Sequence, residues 1–101
     1  MLLTLDEARK AIYVDPDFDD TIIRGYIESA SSFLKEKTGF DFSKVNDPMA
    51  KDFARMFVKD RHFNSNGSYN REHDYSLGIS ALLMQLQLRA KKYIEEGITN
   101  G

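Results

Sequence analysis

The sequence predicts an all-α fold, a small four-helix domain with a mobile loop before the last helix. Apolar residues recur at the three- and four-residue steps that place side chains on one helix face. Helix start and stop signals bracket these segments. The composition, 42% hydrophobic and 30% charged, is that of an ordinary globular chain. We expect one domain over residues 1–101 with a helical core of about 4–96, and helices near 5–13, 20–38, 48–63 and 77–96.

The first predicted helix opens with a capping box. Thr4 and Glu7 stand three residues apart, so each side chain can accept a hydrogen bond from the other residue's backbone amide. The helix is expected to end near Tyr13, because Pro16 disfavours helical geometry in the residue before it.

Four acidic residues, Asp15, Asp17, Asp19 and Asp20, follow this helix and raise the question of a calcium site. An EF-hand loop requires glycine at its sixth position and a bidentate glutamate at its twelfth. Counted from Asp15, those positions hold Asp20 and Tyr26, so the pattern fails. The acids predict a turn and a helix cap, and we expect no metal site.

The second predicted helix has two different faces. Its apolar face is expected in the core and consists of Ile23, Tyr26, Ile27, Ala30, Phe33 and Leu34. The opposite face carries only small residues, Gly25, Ser29 and Ser32, before Gly39 stops the helix. A glycine within a helix costs roughly 1 kcal/mol relative to alanine. Either another backbone approaches this face closely, or the face is solvated.

The third predicted helix starts at Asp47-Pro48, a cap followed by proline in the first turn. Its buried stripe is Ala50, Phe53, Ala54, Phe57 and Val58, and we expect Phe33, Phe53 and Phe57 to form the core. Lys51, Arg55 and Lys59 line the other side as a basic ridge. This ridge could bind phosphate or an acidic partner, or it is simply a solvated face.

The segment 64–74 is polar and long for a connection in a compact bundle. Tyr69 and Arg71 are its best candidates for a contact, since aromatic residues and arginine dominate interface energetics. An idle mobile loop is the alternative.

Limited proteolysis should cleave this segment first, near Arg71, because exposed polar loops are the preferred sites of nicking. Earlier cleavage inside a predicted helix would contradict the assignment.

The last predicted helix has two apolar stripes. One is expected to face the core and consists of Ile79, Leu82, Leu83, Leu86, Ala90, Tyr93 and Ile94. The other lies on roughly the opposite side and consists of Leu77, Ala81, Met84 and Leu88. A helix that is apolar on two sides usually needs a partner beyond its own core. Arg89, with Lys91 and Lys92, suits the negative end of the helix dipole.

The sequence offers little for catalysis. There is no cysteine, and no nucleophile elbow, Walker loop or dinucleotide-binding pattern is present. His62 and His73 have no histidine or cysteine at ligand spacing. We therefore expect no enzyme activity and no cofactor. A net charge of −2 and the lack of a long apolar run predict a soluble intracellular protein without a global basic field.

The order of these motifs resembles the head-tail connector (head-completion adaptor) family of long-tailed phages and prophages. The resemblance begins with LTLDEARKAI and continues through VDPDFDDTIIRGYIESASSFLKEKTG. It extends over nearly the whole chain through Asp47-Pro48, Asp60-Arg61, Gly78-Ile79, Leu82-Leu83 and Leu88-Arg89. One position departs from the pattern, because Gln87 stands where the family commonly has proline. The last helix can therefore continue as one rod.

The resemblance implies a structural virion protein, made in the bacterial host cytoplasm. It would form a homo-oligomeric ring beneath the portal protein, extend the DNA channel and offer a platform to a further head-tail completion protein. DNA would pass without sequence-specific binding, and no membrane is involved. The candidate contacts to a neighbouring subunit or to portal are Gly25, Ser29, Ser32, Tyr69, Arg71, Leu77, Ala81, Met84, Leu88 and Arg89.

The sequence leaves two other interpretations. A small DNA-binding or regulatory helical module would place the basic ridge on phosphates, but a helix-turn-helix needs a tight turn between its helices. The break from Gly39 to Asp47 is too long for that and carries two phenylalanines. A generic interaction domain is the other alternative.

Overall fold

In the computed structural model, which describes residues 2–12, 18–63 and 77–97, four α-helices pack around one hydrophobic core. They are α1 (Leu5–Ile12), α2 (Asp20–Thr38), α3 (Pro48–Phe63) and α4 (Leu77–Glu95), and a short 3₁₀-helix, Phe42–Lys44, joins α2 to α3. The all-α prediction is confirmed, and α4 ends one residue earlier than expected. None of the described helices is long and apolar enough to cross a membrane.

The predicted helix caps are present. The Thr4 amide donates to Glu7 Oε1 at 3.0 Å, and the Glu7 amide donates to Thr4 Oγ1 at 3.1 Å. Asp19 Oδ1 accepts from the Thr21 amide at 2.8 Å and so caps the start of α2. At the other end Gly39 has a φ of 77°, and its amide donates to the Lys35 carbonyl. These local signals set the start of α1 and both ends of α2, whereas the predicted end of α1 near Tyr13 lies outside the described residues.

Phe53 and Phe57 of α3 lie at the centre of the core, with no more than 1% of either residue exposed. Phe33 of α2 stacks on Phe53, with ring centroids 6.0 Å apart, and is half-buried rather than fully enclosed. The guanidinium carbon of Arg61, also on α3, lies 5.1 Å from the centroid of the Phe57 ring. The aromatic core is thus shared between α2 and α3.

Residues 40–42 close one end of the core. Phe40 and Phe42 are both buried and meet edge to face, with centroids 5.1 Å apart. Tyr93 of α4 stacks on Phe40 at 5.2 Å. The placement of Ile94 in the core-facing stripe is wrong, because this residue is 49% exposed. In the last turn of α4, Tyr93 therefore contacts the core, whereas Ile94 does not.

The segment 64–76 lies outside the described residues, and with it Tyr69 and Arg71. The mobile loop and the contacts suggested for these two residues stay predictions. Leu77 begins α4, but its side chain is also outside the described part.

Candidate assembly surface

The side of α4 that faces away from the core carries two large, exposed apolar side chains. Met84 is 68% exposed and Leu88 is 71% exposed, and Ala81 beside them is exposed as well. Leu86, half a turn away, is fully buried. We call Ala81, Met84, Leu88, Lys91 and Glu95, which are all exposed, the outer face of α4. Such an apolar surface marks an interaction site better than scattered single residues do.

α4 is one uninterrupted helix through Gln87, the position at which the family commonly has proline. The Gln87 side-chain amide donates to the Lys37 carbonyl at 3.2 Å, in the last turn of α2. The side chain thus supplies a partner for one of the carbonyls that a helix end leaves unsatisfied. Continuity keeps Met84 and Leu88 in a single row.

A buried carboxylate fixes the C-terminal half of α4 against the start of α3. Asp47, 2% exposed, accepts hydrogen bonds from the Tyr93 hydroxyl at 2.6 Å and from Arg89 Nη1 at 3.2 Å. The Met49 and Ala50 amides donate to its other oxygen at 2.8 and 3.3 Å. Sequence predicted the cap but not the cluster. Arg89, predicted as a contact to another protein, is 45% exposed at its side chain and is engaged within the subunit.

The charge state of this cluster follows from its hydrogen bonds. Burial by itself would raise the pKa of the Asp47 carboxyl. The bonds from Tyr93, Ala50 and Met49, together with the positive charge of Arg89, outweigh burial and lower that pKa below its ordinary value. The bond to Asp47 also raises the pKa of the Tyr93 hydroxyl. Asp47 is therefore ionised and Tyr93 protonated at neutral pH.

The outer side of α2 is open and carries the small residues that the sequence singled out. Gly25, Ser29 and Ser32 are exposed. A Cβ built on Gly25 would meet no atom within 4 Å. The described residues therefore leave room for another backbone there. We call Ile22, Gly25, Ser29, Ser32 and Glu36, all exposed, the outer face of α2.

The basic ridge is largely engaged in ion pairs within the subunit. Lys51 Nζ lies 3.5 Å from Glu7 Oε1, and Arg55 Nη2 lies 3.3 Å from Glu7 Oε2. Arg55 also pairs with Asp52 at 2.9 Å. The bond from the Thr4 amide and the charge of Lys51 hold the pKa of Glu7 below its ordinary value, although burial opposes them. Lys59 is exposed. The ion pairs of Lys51 and Arg55 with Glu7 thus connect α3 to α1.

His62 lies among aromatic rings. Its ring centroid is 5.4 Å from that of Phe18 and 5.9 Å from that of Tyr26. Among the described residues, no group of three or more histidine, cysteine or acidic side chains could hold a metal ion. His62 Nδ1 also lies 3.4 Å from the Tyr26 hydroxyl, so both ring packing and a hydrogen bond hold His62.

The comparisons with known proteins place the chain in a family. Residues 2–99 match the family model described as Phage gp6-like head-tail connector protein. The searches of curated proteins and of solved structures returned no match. The family match extends over the segments on which the sequence resemblance rests and includes both outer faces. The chain therefore belongs to the phage gp6-like head-tail connector family, whose members are structural components of the phage particle.

Proposed function

We propose that this protein forms a homo-oligomeric ring between the portal and the tail and extends the DNA channel during head completion. The observation that carries this proposal is the pair of exposed side chains Met84 and Leu88, on a helix whose opposite side already fills the core. The isolated subunit gains nothing from exposing them, whereas burial of a large apolar side chain contributes about 1.5–3 kcal/mol. The partners would be neighbouring subunits, the portal protein and a further head-tail completion protein.

A ring places a geometric requirement on each subunit. Copies related by rotation about one axis meet through two different surfaces, so each subunit needs a donor surface and an acceptor surface. The outer faces of α4 and α2 are two exposed helix surfaces of different chemistry, one bearing large apolar residues and the other small ones. They are consistent with this requirement.

Passage of DNA without sequence-specific binding agrees with the distribution of charge. The chain carries a net charge of −2. Lys51 and Arg55 are partly neutralised by Glu7. The connection between α2 and α3 contains the buried Phe40 and Phe42 and is not the tight turn of a helix-turn-helix motif. A DNA-binding module is therefore the weaker interpretation.

Titration of the protein with duplex DNA should show binding weaker than about 100 μM at roughly 150 mM salt, because the chain has a net charge of −2 and Lys51 and Arg55 of the basic ridge are already paired with Glu7. Fluorescence anisotropy at low and moderate salt measures this. Micromolar affinity with a steep salt dependence, reduced by Lys59→Gln, would favour the DNA-binding alternative.

The double substitution Met84→Gln with Leu88→Gln should abolish attachment of the protein to portal-containing heads. The unfolding free energy of the same variant should lie within about 1 kcal/mol of the wild-type value, because both side chains are exposed in the subunit. Sedimentation of heads incubated with the purified protein measures attachment, and urea melts measure stability.

Phe63→Gln is the matched control, since it removes another exposed apolar side chain, 55% exposed, from the end of α3. It should leave attachment unchanged. Wild-type attachment by the double variant would refute the adaptor role of this face.

A further inference from the structure

We infer that the outer face of α4 docks on the outer face of α2 of a second copy of this chain, with the two helices parallel. The inference rests on the proposed ring, and it identifies both surfaces of the contact between neighbouring subunits. Its support comes from the spacing, size and charge of exposed side chains on the two helices.

The two outer faces have the same spacing. On α2 the exposed positions are 22, 25, 29, 32 and 36, and on α4 they are 81, 84, 88, 91 and 95. Both series advance by three, four, three and four residues, so two parallel helices could keep all five positions in register. Both helices contain 19 residues, so all five positions of each face lie within its helix.

The sizes of the side chains are complementary in this register. Met84 would lie opposite Gly25, where a Cβ has nothing within 4 Å, and Leu88 would lie opposite Ser29. Large side chains opposite small ones allow two helices to approach closely and interdigitate. At the N-terminal end the relation reverses, because exposed Ile22 of α2 would meet Ala81 of α4.

The charges distinguish the parallel contact from one antiparallel register. In the parallel register Lys91 would lie opposite Ser32, one turn from Glu28 on one side and from Glu36 on the other, and Glu95 would lie opposite Glu36. Lys91, Glu28 and Glu36 are all exposed, and none forms an ion pair with another described residue. In an antiparallel pairing that placed Met84 over Ser29 and Leu88 over Gly25, Lys91 would instead meet apolar Ile22. The position of Lys91 between two acidic side chains therefore favours the parallel contact over this antiparallel register, although the like charges of Glu36 and Glu95 oppose it.

A second copy is the occupant that accounts for both faces together. Pairing of α4 with α4 of another subunit would bury Met84 and Leu88 but would leave the open surface at Gly25 without a role. Such a two-fold contact also joins only two copies into a dimer, whereas contact between two different faces can add further copies to form a ring.

Cross-linking tests the pairing directly, because the chain has no cysteine and each variant then carries a single thiol. Met84→Cys and Gly25→Cys proteins are mixed at high concentration with a short bismaleimide. The mixture should yield a covalent dimer containing one copy of each variant, and neither variant alone should yield dimer. Leu88→Cys mixed with Ser29→Cys should behave in the same way. Lys10→Cys, exposed on α1, is the matched control and should link to neither partner.

A second variant separates association from folding. Gly25→Leu places a large side chain in open space and replaces a poor helix former, so the melting temperature of the subunit should stay the same or rise. The dissociation constant for self-association, measured by sedimentation velocity, should nevertheless increase at least about tenfold, as expected on loss of a central contact.

The other outcomes overturn the inference and remain distinct from failure of the adaptor role. Linking of Met84→Cys to itself would show an α4–α4 contact, and linking only to added portal protein would show a different occupant. No mixed dimer, or unchanged association of Gly25→Leu, would also refute the pairing. The adaptor role would survive these results if Met84→Gln with Leu88→Gln still abolished attachment to heads.

Discussion

Replacing Phe53 with alanine is expected to cost about 3–5 kcal/mol of unfolding free energy, the usual range for a buried phenylalanine. Phe53 is fully buried, and its ring lies 6.0 Å from those of both Phe33 and Phe57. The substitution removes contacts on two helices and leaves a cavity between them. Urea denaturation followed by circular dichroism measures the loss.

Phe63→Ala provides the control on the same helix. Phe63 is 55% exposed, so the same change should cost less than about 1 kcal/mol. Equal losses for the two variants would show that Phe53 does not occupy the centre of the core.

Asp47→Ala is expected to cost about 2.5–4 kcal/mol of unfolding free energy. The substitution removes a helix cap, worth about 1 kcal/mol, and a hydrogen bond between the Tyr93 hydroxyl and a charged group, worth about 1.5–3 kcal/mol. Asp47→Asn is the matched control, because asparagine also caps helices but lacks the charge that Arg89 faces. Asp47→Asn should lose less unfolding free energy than Asp47→Ala. A loss of less than about 0.5 kcal/mol for Asp47→Ala would contradict the network.

The contribution of Asp47 should also depend on pH. The pKa of its carboxyl is lower in the folded protein than the ordinary value of 3.8. The ionised form is therefore favoured by folding, so its stabilisation is complete above that ordinary value and is lost as the pH falls through the lower folded pKa. Melts of wild-type protein and Asp47→Asn between about pH 7 and pH 2 should show the difference narrowing in acid. A constant difference would mean that the charge contributes nothing.

The sequence predicted the helices because their signals are local. The capping box at Thr4 and Glu7 and the stop at Gly39 each depend on residues within four positions, and helical periodicity separates Leu86 from Leu88 without knowledge of the fold. The exposure of Met84 and Leu88 was predictable for the same reason. The two faces of a helix differ in sequence before anything packs against them.

The contacts that sequence missed join residues distant in the chain. Asp47 is 42 residues from Arg89 and 46 from Tyr93, so its burial depends on how α4 crosses the start of α3. Likewise, Lys51 and Arg55 both pair with Glu7 of α1, for which the sequence predicts only a capping role. One-dimensional patterns show which residues are charged, but the packing of helices decides which charges meet.

The attachment of α4 at two places along its length also bears on the entropy of assembly. Gln87 contacts the end of α2, and two residues beyond it Arg89 and then Tyr93 contact Asp47. A partner that binds Met84 and Leu88 therefore meets a helix whose backbone is already ordered in the free subunit. Only side-chain rotamers remain to be fixed, at about 0.5–1.5 kcal/mol for each immobilised residue. Most of the conformational entropy of this surface is already lost when the subunit folds, so association can proceed without a further folding step.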